Sequence, residues 1–283
     1  MNFRPATASD LADEFEVFGR AQRELYERRG AEWAGRDFSE WVRLQRHLLD
    51  HDGARSFVAE EAGRVVGFVA AWVRDEVWFL SALFVRPEWQ GRGIGKRLLG
   101  LAWGEGQRRR ITITEALQPV STASYARRGL IPTTPILGFE GEPRNTEHEH
   151  LEPARLDPGA LLILDQAAYG FDRAIDHTLW KETAESGTLW LVNGEPAAYS
   201  YVSATGQIGP LAGRDEASAA NALRAELARL AGRTVSIAIP GSSAQLVEVA
   251  LGSGLRMQDP ALLLLCPPVD PPRTLAIHSH WLL

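Results

Sequence analysis

Three closely spaced glycines, between an apolar run and a helical pattern, have the chemistry of a phosphate-binding loop. They lie in the segment Gln90-Gly91-Arg92-Gly93-Ile94-Gly95. Glycine lets the backbone turn tightly and approach a ligand, and a helix beginning near Gly95 presents unpaired N–H groups and the positive end of its dipole. A strand, a glycine-rich loop and a helix in this order predict a site for phosphate oxygens.

The spacing of the glycines distinguishes three kinds of phosphate loop. A Walker loop requires glycine where this chain has Gln90, and Ser or Thr where it has Arg97. A dinucleotide fingerprint counted from Gly91 requires glycine at the sixth position, where Lys96 stands. The segment instead resembles, without a mismatch, the Gln/Arg-x-x-Gly-x-Gly/Ala loop that binds the coenzyme A pyrophosphate in the GCN5-related N-acetyltransferase (GNAT) family.

The sequence around the loop extends this resemblance over roughly residues 3–140. Residues 83–88 resemble the end of the family's fourth strand, and residues 57–72 resemble its second and third strands. Downstream, Tyr125 stands at the family's tyrosine position and is followed, after three residues, by the expected glycine. Gln118 replaces the asparagine that usually opens this helix, which weakens any cofactor contact inferred for that position.

The resemblance implies an N-acetyltransferase that moves acetyl from acetyl-coenzyme A (acetyl-CoA) to a primary amine by direct attack, and the expected acceptor is a small molecule. It implies that the pantetheine arm follows residues 83–85, where a backbone N–H polarises the thioester, and that Tyr125 protonates the departing thiolate. The cofactor-binding residues so implied are Leu83, Phe84, Val85, Gln90, Gly91, Arg92, Gly93, Ile94, Gly95, Lys96, Gln118 and Tyr125.

The general base and the acceptor pocket stay open at this level. Phe79 falls where some family members carry a glutamate, so Glu76 and Glu115 are candidate bases, although each also fits a solvated turn carboxylate. Three aromatic residues around the first two helices either line the acceptor pocket or pack beneath a loop: Tyr26, Trp33 and Trp41.

Three rival functions also remain: a coenzyme A-binding sensor without turnover, an enzyme with a second active site in its C-terminal half, and a transferase for a longer acyl group.

The elements that must position the loop follow an order that occurs twice. A hairpin at 57–70, a buried strand at 77–85 and a helix at 96–103 precede a strand at 111–114 and a helix at 120–128. The second half repeats this order with a hairpin at 188–199, a helix at 215–231, a strand at 234–239 and a helix at 242–251. Whole units that recur at a long period indicate a duplicated domain.

The predicted fold class is therefore α/β (α+β), with two GNAT-like domains, each a mixed, largely antiparallel sheet flanked by helices. We expect an acetyltransferase domain at 1–142, a linker at 143–158 and a degenerate domain at 159–283. A gapless shift of 125 residues places the glycine loop on Asp215-Glu216-Ala217-Ser218-Ala219-Ala220 and Tyr125 on Ala250. This alignment predicts that the second domain lacks both the loop and the tyrosine.

Composition limits the partners of the protein. A net charge of -6 with no basic half argues against nucleic-acid binding, and the apolar runs are too short to span a membrane. The single cysteine, Cys266, is expected to be an inert core thiol. The pairs His148/His150 and His278/His280 lack a third ligand with suitable spacing, so we predict no metal. We expect a cytoplasmic monomer or homodimer.

Overall fold

The structure is a computed structural model in which residues 1–144, 151–267 and 269–283 are described. The chain divides into two compact units, Met1–Arg110 and Ile111–Leu283. None of the helices in the described ranges is both long and apolar enough to cross a membrane.

The first unit is an antiparallel sheet with helices on both faces. Its strands pair in the order β1-β2-β3-β4. The elements are β1 (Asn2–Pro5), α1 (Leu11–Glu27), α2 (Phe38–Asp52), β2 (Phe57–Glu61), β3 (Arg64–Arg74), β4 (Val77–Val85) and α3 (Ile94–Ala102).

Strand β3 is the centre of this unit because helices cover both of its faces. The Phe68 ring lies 6.1 Å from Trp41 of α2, whereas the backbone of Gly67, pointing the other way, faces Leu98 of α3. All three side chains Phe68, Trp41 and Leu98 are fully buried. Successive residues of a strand point to opposite faces, so the apolar run of β3 is explained by burial on both sides.

The pairing of β3 with β4 fixes the strand end that precedes the glycine loop. Val85 lies opposite Gly67, and Leu83 lies opposite Val69. The register shifts farther back, where Ala70 pairs with Ala82 and the next residue of β3 pairs with Leu80. The extra residue of β4 at this bulge is Ser81, and such a bulge bends a strand and redirects its end.

The second unit is a larger mixed sheet. Its main strand order is β5-β13-β6-β11-β10-β9-β8-β7, in which β10 and β11 are parallel and β8, β9 and β10 form an antiparallel meander. Its elements are β5 (Arg109–Glu115, entered from the first unit), α4 (Pro119–Ala126), β6 (Ile131–Gly141), β7 (Glu152–Ala154), α5 (Pro158–Ala168), α6 (Ala174–Thr183), β8 (Ser186–Val192), β9 (Glu195–Val202), β10 (Gln207–Gly213), α7 (Glu216–Arg229), β11 (Val235–Pro240), α8 (Ala244–Gly252), β12 (Arg256–Met257), β13 (Ala261–Cys266) and β14 (Leu275–Ala276).

The predicted fold class is confirmed, since both units combine flanking helices with a sheet and the second contains parallel and antiparallel pairs. The division between the two compact units falls after Arg110. The sequence instead predicts a domain boundary at residues 143–158. Strand β6 precedes that boundary and yet pairs with β11 and β13, which follow it. The boundary of the repeat stays a prediction; residues 145–150 of the proposed linker lie outside the described ranges.

Candidate cofactor site

The glycine loop connects the end of β4 to the start of α3. It begins with a 3-10 turn over Pro87–Trp89 and ends at Gly93, the N-cap of α3. Gly91 and Gly93 have φ angles of 75° and 80°, in the left-handed region that favours glycine. A Cβ added at either position would meet nothing within 4 Å. The backbone at these two glycines is therefore not covered by neighbouring atoms.

The N-terminus of α3 has no side-chain cap, because its N-cap residue is glycine. The N–H groups of Ile94 and Gly95 lie in the first turn, where a helix offers no internal partner, and the first bond of the ladder runs from the Arg97 N–H to the Gly93 carbonyl at 3.1 Å. The Ile94 side chain is buried, so only its backbone faces the loop. This is an anion-binding helix end of the predicted kind.

The polar side chains of the loop make contacts within the loop itself. The Gln90 amide donates a hydrogen bond to the Val85 carbonyl at 3.0 Å. The Arg92 guanidinium lies 4.6 Å from the centroid of Trp89 and donates to the Glu88 carbonyl at 3.0 Å. The Gln90 bond joins the loop to the end of β4, and the Arg92 contacts hold the loop together.

The end of β4 is held in place on both faces of the sheet. Leu83, Phe84 and Val85 are half-buried. The Phe84 ring packs 5.1 Å from Phe18 of α1 and 5.7 Å from Phe68. On the other face, a Cβ at Gly67 would lie 3.0 Å from the Phe84 carbonyl oxygen, which is tighter than ordinary van der Waals contact, so glycine favours this close approach.

The other two predicted site residues belong to the second unit. Gln118 is the N-cap residue of α4 but makes no side-chain cap hydrogen bond. Tyr125 lies on the same helix and is 6% exposed, and this burial raises the pKa of its hydroxyl above the usual range. Tyr125 therefore keeps its proton at physiological pH.

The structure shows the surroundings of two candidate base positions and of one candidate pocket residue. Phe79 is buried and stacks on Trp72 at 4.9 Å, so a base is absent from that strand position. Glu76 forms an exposed ion pair with Arg108 at 3.2 Å. Trp41 is completely buried, which makes it a core residue and not part of a pocket wall.

The remaining alternatives concern Trp33, Tyr26, Glu115 and the histidines. Trp33 and Tyr26 are half-buried, and the Trp33 ring packs edge-on against Phe18. Glu115 ends β5 in the second unit. Across residues 1–144, 151–267 and 269–283, no cluster of three or more His, Cys, Asp or Glu could hold a metal ion; His148 and His150 lie outside these ranges.

The corresponding helix of the second unit, α7, begins with a carboxylate cap. Its carboxylate cap, Asp215, accepts a hydrogen bond from the Ser218 N–H at 2.7 Å, and this bond together with Arg214 outweighs partial burial to lower the pKa of Asp215. A Cβ at Gly213 would lie 2.5 Å from the Ala219 nitrogen, so α7 packs directly on the end of β10. Ala250, aligned with Tyr125, is buried in the core.

The connection between strand and helix is also shorter in the second unit. Eight residues, 86–93, separate β4 from α3, but only residues 214 and 215 separate β10 from α7. The loop is therefore deleted in the second unit rather than substituted. A gapless shift of 125 residues cannot describe this difference, because a deletion requires a gap.

Two buried charged residues of the first unit, one of them next to the loop, were not predicted from the sequence. Arg86 directly follows β4 and is 2% exposed, and Glu14 on α1 is 4% exposed. Arginine and glutamate are mostly surface residues, so the sequence offered no signal that these two point inward.

Comparisons with known proteins give the family of the region that contains the glycine loop. Residues 19–130 match the Acetyltransferase (GNAT) family. An uncharacterized N-acetyltransferase of Methanocaldococcus jannaschii is 33% identical over 146 residues, which are 48% of this chain and 59% of that relative. The matched region thus spans less than two thirds of that relative.

Solved structures with this fold cover nearly the whole chain. A putative acetyltransferase from Pyrococcus horikoshii superposes with a TM-score of 0.79 at 17% identity, over 99% of this chain and 95% of that one. A GCN5-related N-acetyltransferase from Sphaerobacter thermophilus gives a TM-score of 0.62 at 16% identity, over 95% and 97% of the two chains. These likenesses show the fold. The family match covers residues 19–130 and places that region of the chain in the GNAT family.

Proposed function

We propose that this protein is an acetyl-CoA-dependent N-acetyltransferase with one cofactor site, formed by the end of β4, the glycine loop and α3. The observation that carries the proposal is the uncapped N-terminus of α3, preceded by two glycines whose left-handed backbone faces open space. Backbone N–H groups and the helix dipole there favour a pyrophosphate. Residues 83–85 and 90–96 are the proposed cofactor contacts.

The residues beside the loop have defined tasks in the proposed reaction. Backbone groups of Leu83, Phe84 and Val85 would bind the pantetheine amides, and one N–H would stabilise the oxyanion that forms when the amine attacks the thioester carbon. The C–N bond forms as the C–S bond breaks, and the acceptor amine loses its proton to water or to a base. The acceptor that we propose is a primary amine of a small molecule.

Tyr125 is the proposed acid for the departing thiolate, and Gln118 is retained as a cofactor contact. Because burial raises the pKa of Tyr125, its hydroxyl stays a hydrogen-bond donor over the whole working pH range. A thiol has a pKa of about 8.5, so the thiolate is a tolerable leaving group and the contribution of an acid is moderate. Direct transfer is proposed because the single thiol, Cys266, lies at the end of β13 in the second unit, far along the chain from the loop.

The second unit is proposed to bind no cofactor. The Asp215 carboxylate already satisfies the helix end that a pyrophosphate would need, and it carries the wrong charge for an anion site. The close packing of Gly213 on Ala219 leaves no space for a loop. Both steric and electrostatic terms therefore oppose binding there.

Calorimetric titration of acetyl-CoA into Gly93→Leu and Gly194→Leu tests the site. Both glycines have φ near 80° and open space around a Cβ, but Gly194 lies in the β8–β9 turn of the second unit. Backbone strain is thus matched, and only Gly93→Leu should block the pyrophosphate. We expect its Kd to rise at least tenfold, which corresponds to about 1.4 kcal/mol. Equal affinity in the two variants would contradict the site.

A thiol-release assay with a panel of amines then tests turnover. Release of free coenzyme A that depends on the amine, together with an acetylated product, is the expected result. Tight cofactor binding without release for any amine would instead support a coenzyme A-binding sensor.

A further inference from the structure

Arg86 directly follows β4 and is the first residue of the glycine loop. Its backbone makes one hydrogen bond to the sheet and one within the loop. Its N–H donates to the Val66 carbonyl at 2.8 Å, which extends the pairing with β3 by one residue. Its carbonyl accepts the Trp89 N–H at 2.9 Å, which opens the 3-10 turn of the loop. A rotation at this residue would therefore change the direction of the whole loop.

The Arg86 side chain is anchored at both ends of its guanidinium. Nε donates to the Val65 carbonyl at 2.8 Å, and Nη1 donates to the Glu16 carboxylate of α1 at 2.8 Å. The side chain is 2% exposed, whereas Glu16 is about half exposed. The pairing with Glu16 raises the pKa of Arg86, so the buried cation is compensated. Because the guanidinium is engaged by these two partners, we do not assign it to phosphate binding.

The second unit contains an arginine at the same backbone position, which allows an internal comparison. The Arg214 N–H donates to the Ala197 carbonyl of β9 at 2.9 Å, as the Arg86 N–H does to β3. The Arg214 side chain, however, is 43% exposed and lies 3.5 Å from the adjacent Asp215. The backbone position is thus common to both units, but the buried side chain occurs where the strand is followed by a long glycine loop.

We propose that Arg86 is a positioning residue that fixes the direction of the cofactor loop, and that its ion pair with Glu16 couples α1 to that loop. This inference rests on the proposed function for its effect on affinity. Helix α1 also packs Phe18 against Phe84 at the strand end, so one helix holds both parts of the proposed cofactor site. In this proposal Arg86 acts through the loop backbone and is not a catalytic residue.

The test compares Arg86→Lys with Arg74→Lys. Arg74 forms a buried ion pair with Asp52 at 2.9 Å, at the opposite end of the same two paired strands. Each change keeps the charge and loses a forked guanidinium, so both variants should lose some stability. Only Arg86→Lys should raise the Kd for acetyl-CoA, by about tenfold or more, because only that guanidinium holds the loop. The KM for acetyl-CoA should rise similarly, with little change in kcat.

A milder variant tests the coupling to α1. Glu16→Gln alters a half-exposed side chain, and we expect about a threefold to tenfold rise in Kd. Because both changes remove the same hydrogen bond between the Arg86 guanidinium and the Glu16 carboxylate, the loss of affinity in the double variant should fall well short of the sum of the two single effects. Additive effects of the two changes would contradict the coupling.

Hydrogen exchange of the cofactor-free protein separates this inference from the proposed function. The N–H groups of Trp89 and Gln90 are bonded within the 3-10 turn, and Arg86→Lys should speed their exchange while Arg74→Lys should not. Unchanged exchange, or equal effects of the two variants on loop exchange, would overturn the positioning role. Faster loop exchange in a protein that binds no acetyl-CoA would leave the positioning role standing and refute the proposed function.

Discussion

Glu14 should make the protein less stable as the pH rises towards 8. This carboxyl group lies on α1, is 4% exposed, and has no hydrogen-bond partner among the described residues. Burial raises its pKa from 4.5 to about 8; Asp10 nearby raises the pKa further, whereas Arg4 opposes the shift. Asp10 and Arg4 pair with each other at 2.7 Å, so their effects on Glu14 largely cancel.

The sign and size of the effect follow from proton linkage. The folded state holds this proton more tightly than the unfolded state, so the contribution is fully present below about pH 4.5 and is lost as the pH rises through about 8. A difference of this size between the two states has a ceiling of roughly 5 kcal/mol, since each pKa unit is worth about 1.4 kcal/mol. That is comparable with the total stability of many domains.

Glu14→Gln removes the titrating group while preserving the shape of the protonated side chain. We expect its unfolding free energy, relative to wild type, to increase by several kcal/mol between pH 5 and pH 9, with roughly 5 kcal/mol as the upper limit. Urea unfolding at a series of pH values measures this, because the titrations of other groups cancel in the difference. Glu27→Gln, an exposed change on the same helix, is the control. A difference that does not vary with pH would refute the assignment of Glu14 as a buried acid.

Three further predictions concern the cofactor site. Tyr125→Phe should lower turnover about 10- to 100-fold with little change in the Kd for acetyl-CoA; unaltered turnover with the best amine would make Tyr125 a packing residue. Calorimetry should give one acetyl-CoA per chain, and a stoichiometry of two would contradict the closed helix end at Asp215. Gly67→Val should weaken cofactor binding and cost about 1–3 kcal/mol of stability, because even its Cβ would lie 3.0 Å from the Phe84 carbonyl oxygen; a variant with wild-type melting temperature and Kd would refute this.

The sequence was sufficient to predict the local elements of the first unit. Strand β4 has the predicted bounds, since an unbroken apolar run between turn residues suits a strand buried on both faces. The glycine loop could also be predicted, because glycine readily adopts the left-handed backbone conformation found at Gly91 and Gly93. Helix α2 begins after Asp37, whose side chain accepts the Glu40 N–H, and such caps are local signals.

Two strands of the second unit, β10 and β6, were not predicted from the sequence because their glycine and proline residues indicate turns. Strand β10 contains Gly209, Pro210 and Gly213, and β6 contains Pro132 and Pro135. Their neighbours in the sheet decide the outcome: β10 lies between β9 and β11, and β6 lies between β11 and β13. Pairing with strands on both sides overrides the local propensity of these segments.

The tertiary structure alone decided which arginine is buried. Arg86 and Arg214 each follow a strand, and the local sequence does not distinguish their environments. Arg86 is buried because Glu16, 70 residues earlier in the chain, lies on a helix that crosses the strand end. Arg214 stays exposed beside Asp215, whose own carboxylate caps α7. Residue type and spacing determined where a phosphate loop could form, whereas burial of a charge depends on partners that only the folded chain brings together.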